Sequence, residues 1–144
     1  VARLKRELVI PNSQTHLAEA DDFIESSLES IGLDKGVIAD IAISATELIN
    51  NAILHGNRGN ATKKVLIRLL VDGDRVQVDI IDQGDGFDPF SVPSPLAPEN
   101  LLKEVGRGIF ISKSLVDSLE FGREPGWGTR ATLIKSVAGS IESQ

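Results

Sequence analysis

The chain has 144 residues, 41% of them hydrophobic and 25% charged, an ordinary balance for one soluble domain with a real core. The formal net charge is -6 and the sequence pI about 4.9, which argues against a general nucleic-acid binder, because a phosphate backbone needs a basic face. Cysteine is absent, which excludes disulfides and thiolate metal sites. No signal-peptide pattern opens the chain and no apolar run approaches roughly 18 residues, so no membrane contact is expected and the expected compartment is the cytoplasm.

Leu4 to Ile10 mixes charged and apolar residues and ends at Pro11, which suits an edge strand because proline cannot donate to a ladder. Asn12, Ser13 and Thr15 are candidate caps for a helix over His16 to Ile31, where Leu17, Ala20, Phe23, Ile24, Leu28 and Ile31 repeat at helical spacing. Gly32 ends that helix and Asp34 can cap the next. A second helix is expected from Lys35 to His55. Its apolar face includes Ile38, Ile41, Ala45, Leu48, Ile49 and Ile53, with a polar stripe of Asp40, Ser44, Glu47, Asn51 and His55 opposite. Gly56 stops it, and Asn57 to Lys64 reads as a loop.

Val65 to Val71 reads as a largely buried strand, Asp72-Gly73-Asp74 as a tight turn, and Arg75 to Asp82 as a strand. In the latter Val76, Val78 and Ile80 alternate with Arg75, Gln77 and Asp79. Four of the six prolines fall in Pro89 to Pro98, a segment of the kind that is usually functional or mobile. A third helix is expected over Gly106 to Asp117, then a hairpin of Leu119 to Gly122 and Thr129 to Lys135 around Glu124-Pro125-Gly126. The tail, 136–144, is expected to fray. No internal repeat is visible, so 1–144 is read as one domain. The order of elements predicts an α/β (α+β) two-layer sandwich: a mixed, mostly antiparallel sheet with helices on one face.

Glu47 and Asn51 lie four residues apart and share a helix face. Such a pair can act as a base and as an oxygen ligand for a hard cation such as Mg²⁺. Taken alone, a solvated helix face explains the pair as well. Asp82-Gln83-Gly84-Asp85-Gly86 follows a strand directly. Asp82 there can accept hydrogen bonds from an exocyclic amine such as that of adenine, and Gly84 and Gly86 let backbone approach a flat ring. A plain turn is the competing explanation. A calcium loop is excluded, because Gly84 stands where an oxygen ligand is needed and no Glu follows at the required distance.

Gly106-Arg107-Gly108 before a helix can form an anion site from backbone N–H groups and a guanidinium, or can be loop-to-helix punctuation. Gly128-Thr129 is explained by strand initiation, and His55 by capping of the helix C-terminus. No Walker A pattern and no complete Gly-x-Gly-x-x-Gly occurs. Two histidines without cysteine make no zinc site.

Together the blocks resemble the GHKL superfamily, named for gyrase, the Hsp90 chaperone, histidine kinases and MutL-type repair ATPases, and most of all its anti-sigma-factor serine/threonine kinase branch. The motifs are Glu47-x-x-x-Asn51-Ala52-x-x-His55-Gly56, Asp82-x-Gly84-x-Gly86-Phe87-Asp88-Pro89, Gly106-x-Gly108 and Gly128-Thr129. The resemblance implies a Bergerat-type ATP-binding fold with ATP and Mg²⁺ as cofactors. It implies Asn51 as the Mg²⁺ ligand, Glu47 as the base for an attacking serine hydroxyl, and Asp82 on the adenine amine with Thr129 in support. Gly84 and Gly86 would pass under the base, His55 would belong to the same binding set, 89–105 would form the lid, and Arg107 and Gly108 would meet the phosphates. The implied partners are a sigma factor and an antagonist protein that serves as substrate; a homodimer is also an expectation, and direct nucleic-acid contact is not. The proline-rich lid departs from the pattern and carries only Lys103 and Arg107 as nearby cations. Two alternatives stay open at this point: a non-catalytic ATP-binding partner-switch module, and a stand-alone kinase or ATPase that activates a phosphatase.

Overall fold

Two nine-residue strands, β1 (Arg3–Pro11) and β2 (Lys64–Asp72), pair antiparallel along their whole length, Arg3 opposite Asp72 and Pro11 opposite Lys64. The computed structural model describes residues 3–84 and 108–137. Gly73, at φ 65°, makes the turn that leads from β2 into β3 (Arg75–Ile81), a conformation glycine adopts without steric cost. β5 (Thr129–Ser136) pairs with the other side of β3, and β4 (Ser118–Arg123) with β5, giving the order β1-β2-β3-β5-β4. Among the described residues every pairing is antiparallel. The two-layer α+β arrangement expected from the sequence is therefore the one found.

The helices are α1 (Leu17–Glu29), α2 (Lys35–Asn51) and α3 (residues 108–115). Asp34 caps α2 as expected, accepting from Gly36 N at 3.1 Å and Val37 N at 3.4 Å. Ser13 accepts from Thr15 N and opens a 3₁₀ turn, Gln14–His16, so His16 precedes α1 rather than starting it. Of the expected caps, Asn12 and Thr15 do not serve: Asn12 is buried, and Thr15 bonds Ser13. The helical path does not stop at Asn51. It continues as a π turn, Ala52–Gly56, whose end is marked by Asn57 N donating to Ala52 O, five residues back, at 2.7 Å.

The core lies between the helices and one face of the sheet. Ile24 and Leu28 from α1, Ile41 and Ile49 from α2, and Ile53 from the π turn meet Ile67, Leu69, Ile80 and Leu133, all buried. Burying each such side chain contributes about 1.5–3 kcal/mol. Lys35–Gly56 as a unit spans 22 residues with a hydropathy of 1.4, long and apolar enough by length and composition to cross a membrane. That corrects the reading that no run reaches such a length. Half of its most apolar 18-residue window is buried within the protein.

Two further expectations change, those for Ser44 and for the tail. Ser44, placed on the polar stripe of α2, is fully buried: its Oγ donates to Ser112 O at 3.2 Å, and Ser112 Oγ donates to Ser44 O at 3.0 Å. Asp79, on the face of β3 opposite Val76, Val78 and Ile80 as the alternation has it, is 1% exposed. Arg68 lies directly opposite it on β2 and Thr132 opposite it on β5; Arg68 Nε donates to its Oδ2 at 2.9 Å and Thr132 Oγ1 to its Oδ1 at 2.8 Å. Ser136 belongs to β5, and Val137 is buried with its N–H on Asp74 O, so the expected fraying does not begin at 136. The lid, 89–105, and the tail from 138 lie outside the described residues.

Candidate functional site

The C-terminal half of α2 and the π turn carry the site residues to the end of β3. Glu47 and Asn51 share a face of α2, and α3 packs against them. A Cβ built on Gly108 would stand 3.0 Å from Glu47 Oε2 and 3.6–3.7 Å from the Asn51 amide. A side chain at 108 would be in ordinary contact with the Asn51 amide and would crowd only the Glu47 carboxylate. The Ser44–Ser112 exchange, one turn further along each helix, holds the two helices in this apposition. Asn51 Nδ2 is buried with no hydrogen-bond partner among the described residues.

The other half of the site is built at the end of β3. Asp82 is 5% exposed. Its Oδ1 accepts from Gly84 N at 2.9 Å and Thr129 N at 3.1 Å, and its own N–H donates to Thr129 O at 3.0 Å. Burial pushes its pKa above the ordinary 3.8, against the lowering effect of the two backbone N–H groups and of Lys63 and Arg123. Its Oδ2 faces Gly56, where any Cβ would collide with the carboxyl group. Gly84 lies against the carbonyl of Gly56, again with no room for a Cβ, and a Cβ on Gly128 would be 2.5 Å from Gly84 O. Three glycines from separate segments thus converge around one carboxylate.

Between the two halves is a cavity lined by Asn51, Gly56, Asp82 and Thr129 on its polar side and by Leu48, Ile80, Ile109 and Phe121 on its apolar side. Its free volume is about 20 Å³, room for one water. A wider groove of about 580 Å³, lined by Arg3, Lys5, Leu70, Asp72, Arg75 and Gln77, lies at the opposite end of β3 from Asp82 and contains none of these groups.

The predicted site residues therefore fall into place unequally. Glu47, Asn51 and Gly108 meet; Asp82, Gly84 and Thr129 meet; His55 sits in the π turn just before Gly56. Gly86 and Arg107 lie outside the described residues.

A family model for the histidine kinase-like ATPase domain matches residues 10–135. The chain belongs to this family. The histidine kinase-like ATPase match is the superfamily expected from the motifs. Its relatives include an anti-sigma F factor of Thermoanaerobacter sp. (strain X514), 29% identical over 102 residues, which cover 69% of this chain and 71% of that protein. A serine-protein kinase RsbW of Staphylococcus aureus is 28% identical over 127 residues, 83% of this chain and 80% of that one. The fold also matches a crystal structure of the RsbU and RsbW domains of a Mycobacterium tuberculosis protein, with a TM-score of 0.68 and 20% identity; the match covers 93% of this chain and 32% of that one. At that identity the likeness concerns the fold.

Sequence reasoning missed two buried amides. Asn12 was read as a cap and Asn57 as the start of a loop. The one signal available was the number of Asn residues around a helix end, which does not separate a turn from a buried network.

Proposed function

We propose that this protein is an ATP-dependent protein-serine kinase that also acts as an anti-sigma factor: it binds a sigma factor and phosphorylates a small antagonist protein. The observation that carries this reading is a cavity lined by Asn51 and by a buried Asp82 in a glycine cradle, with Glu47 one helical turn from Asn51 and beside Gly108. The names of the relatives, which join anti-sigma activity to serine kinase activity, support the partner classes. The setting is cytoplasmic. A homodimer is part of the proposal; β1, at the sheet edge, has one side unpaired within the sheet.

The residues fit the cofactors. ATP supplies the phosphoryl group when bound, and Mg²⁺ offsets its charge. Asn51, one helical turn from Glu47, would offer its Oδ1 to the metal. Asp82 accepts a hydrogen bond from the adenine amine, supported by Thr129. Gly84 would lie under the base, with His55 in the wall, and Gly108 would face the phosphates. Gly86, Arg107 and the lid 89–105, which the resemblance assigns to the same site, lie outside the described residues. Glu47 takes the proton of the substrate serine hydroxyl as general base.

The test is incubation of the protein with Mg-ATP and its cognate antagonist. Glu47→Gln should lower phosphate transfer about 10²- to 10⁴-fold, the usual worth of a positioned base, while nucleotide affinity stays within a few-fold of the parent. Undiminished transfer by Glu47→Gln would remove the base assignment. Absence of transfer by the parent, with ATP bound, would reduce the protein to a binding module.

A further inference from the structure

Asn57 is fully buried directly after the π turn, and its side chain makes three hydrogen bonds, both amide hydrogens among them. Oδ1 accepts from Gln83 N at 2.7 Å; Nδ2 donates to Asn12 Oδ1 at 3.0 Å and to Lys64 O at 2.9 Å. Its backbone N–H closes the π turn on Ala52 O. The bond to Gln83 matters most for the site. Gln83 N–H lies between Asp82 and Gly84, and the next amide, Gly84 N–H, is held by Asp82 Oδ1. Two successive amides of one turn are thus pulled in different directions, one toward the helix end and one toward the carboxylate. The residue before Asn57, Gly56, has its carbonyl against Gly84 and its Cα against Asp82 Oδ2. One side chain therefore joins the end of the helix to the turn that carries the carboxylate.

We propose that Asn57 is a positioning residue: by holding the Gln83 amide it fixes the direction of the Asp82 carboxylate, and so sets the preference of the site for a base that bears an exocyclic amine. The inference rests on the reading of Asp82 as the adenine contact. A role limited to stability is separable from it, because Asn12 belongs to the same network without touching Gln83. Asn12 Nδ2 donates to Ile53 O at 3.2 Å and Asn60 O at 3.1 Å, and its Oδ1 accepts from Asn57.

The experiment measures binding of ATP and of inosine triphosphate, which lacks the amine, to the whole chain by calorimetry, with thermal unfolding alongside. Asn57→Ala should weaken ATP binding about tenfold, the scale of one lost hydrogen bond, and inosine triphosphate binding much less, so that the preference shrinks toward unity. Asn12→Ala should lower the melting temperature and keep the preference. The proposal is overturned if Asn57→Ala keeps the parent's preference, or if Asn12→Ala loses it to the same degree. Should Asn57→Ala not fold, Gln83→Pro deletes the donor of the same hydrogen bond; loss of preference there supports the proposal and an unchanged preference overturns it. A parent protein that binds ATP without preferring it to inosine triphosphate overturns the Asp82 reading itself, a result visible before any variant is compared.

Discussion

Asp79 and Asp82 belong to the same stretch of chain and are both buried, at 1% and 5% exposure, yet they are held in opposite ways. Asp79 sits mid-sheet in a cross-strand row, with a guanidinium on one side and a hydroxyl on the other. Arg68 is shared further with Glu124, and Arg130 Nη1 donates to Glu124 Oε1 at 2.8 Å. Every charge in that patch faces an opposite charge. Asp82 has no ion pair among the described residues; backbone N–H groups hold one oxygen, and the other lies over a glycine beside a cavity. Asp79 is matched by side chains, Asp82 by backbone amides with its pKa pushed up by burial; in the proposed function the first belongs to the scaffold and the second meets the ligand.

Asp79→Ala tests this contrast with the largest expected effect. Removing one partner of a buried ion pair costs about 3–5 kcal/mol, and the lower end is expected because Arg68 keeps Glu124. Urea unfolding should show that loss, with ATP affinity unchanged below the transition. If ATP binding fell together with stability, the two carboxylates would not be separate in role.

Asp82→Asn should do the reverse. An amide oxygen can still accept from Gly84 and Thr129, but the charge is gone, and ATP affinity should fall about 30- to 100-fold, the ~2–3 kcal/mol of a hydrogen bond to a charged group. Because the folded-state pKa is raised, the stability linked to this group is present below its ordinary 3.8 and is lost as pH rises through the folded value. At neutral pH the substitution should therefore leave the melting temperature equal or higher. A clear drop would place Asp82 with the scaffold.

A smaller effect is expected between α2 and α3. Replacing both Ser44 and Ser112 by Ala should cost about 1–3 kcal/mol for two buried hydrogen bonds. Phosphate transfer should slow more than ATP affinity falls, since Gly108 would no longer be held against Glu47. Equal losses in both would argue that the clamp supports the fold alone.

The smallest effect belongs to the surface of α1. A hydrogen bond and charge repulsion from Asp21 raise Glu25 from 4.5 to about 7. The folded state then binds this proton more tightly than the unfolded one, so the linked stability is complete below 4.5 and is lost as pH rises through about 7. Asp21→Asn should flatten the melting temperature across that window; a slope identical to the parent's would exclude the pair as its source.

Much of this contrast could be read in advance, and the remainder shows where periodicity stops. The spacing of Glu47 and Asn51, the strand-end position of Asp82 and the glycines around it are local patterns, and the structure brings Asn51 and Asp82 to one cavity, with Glu47 beside Gly108. Alternation placed Asp79 on the correct face of β3 but could not show that Arg68 and Thr132 would flank it, because register between strands far apart in sequence is a tertiary fact. Ser44 failed for a related reason: a polar position on a helix reads as solvent until a second helix covers it. The π turn and Asn57 left no period to find, as a change of one residue in the last turn is too short for a repeat to register.

That turn carries a consequence for how the site could be lost. It is one residue more than a regular helix needs between Ala52 and Asn57. Winding the same residues as regular α-helix, with Gly56 N rather than Asn57 N on Ala52 O, would turn everything after them by about a quarter-turn. Gly56 would then leave Asp82, and Asn57 would leave Gln83. The meeting of the helix end with the Asp82 turn thus depends on an irregularity that a smoother helix would erase.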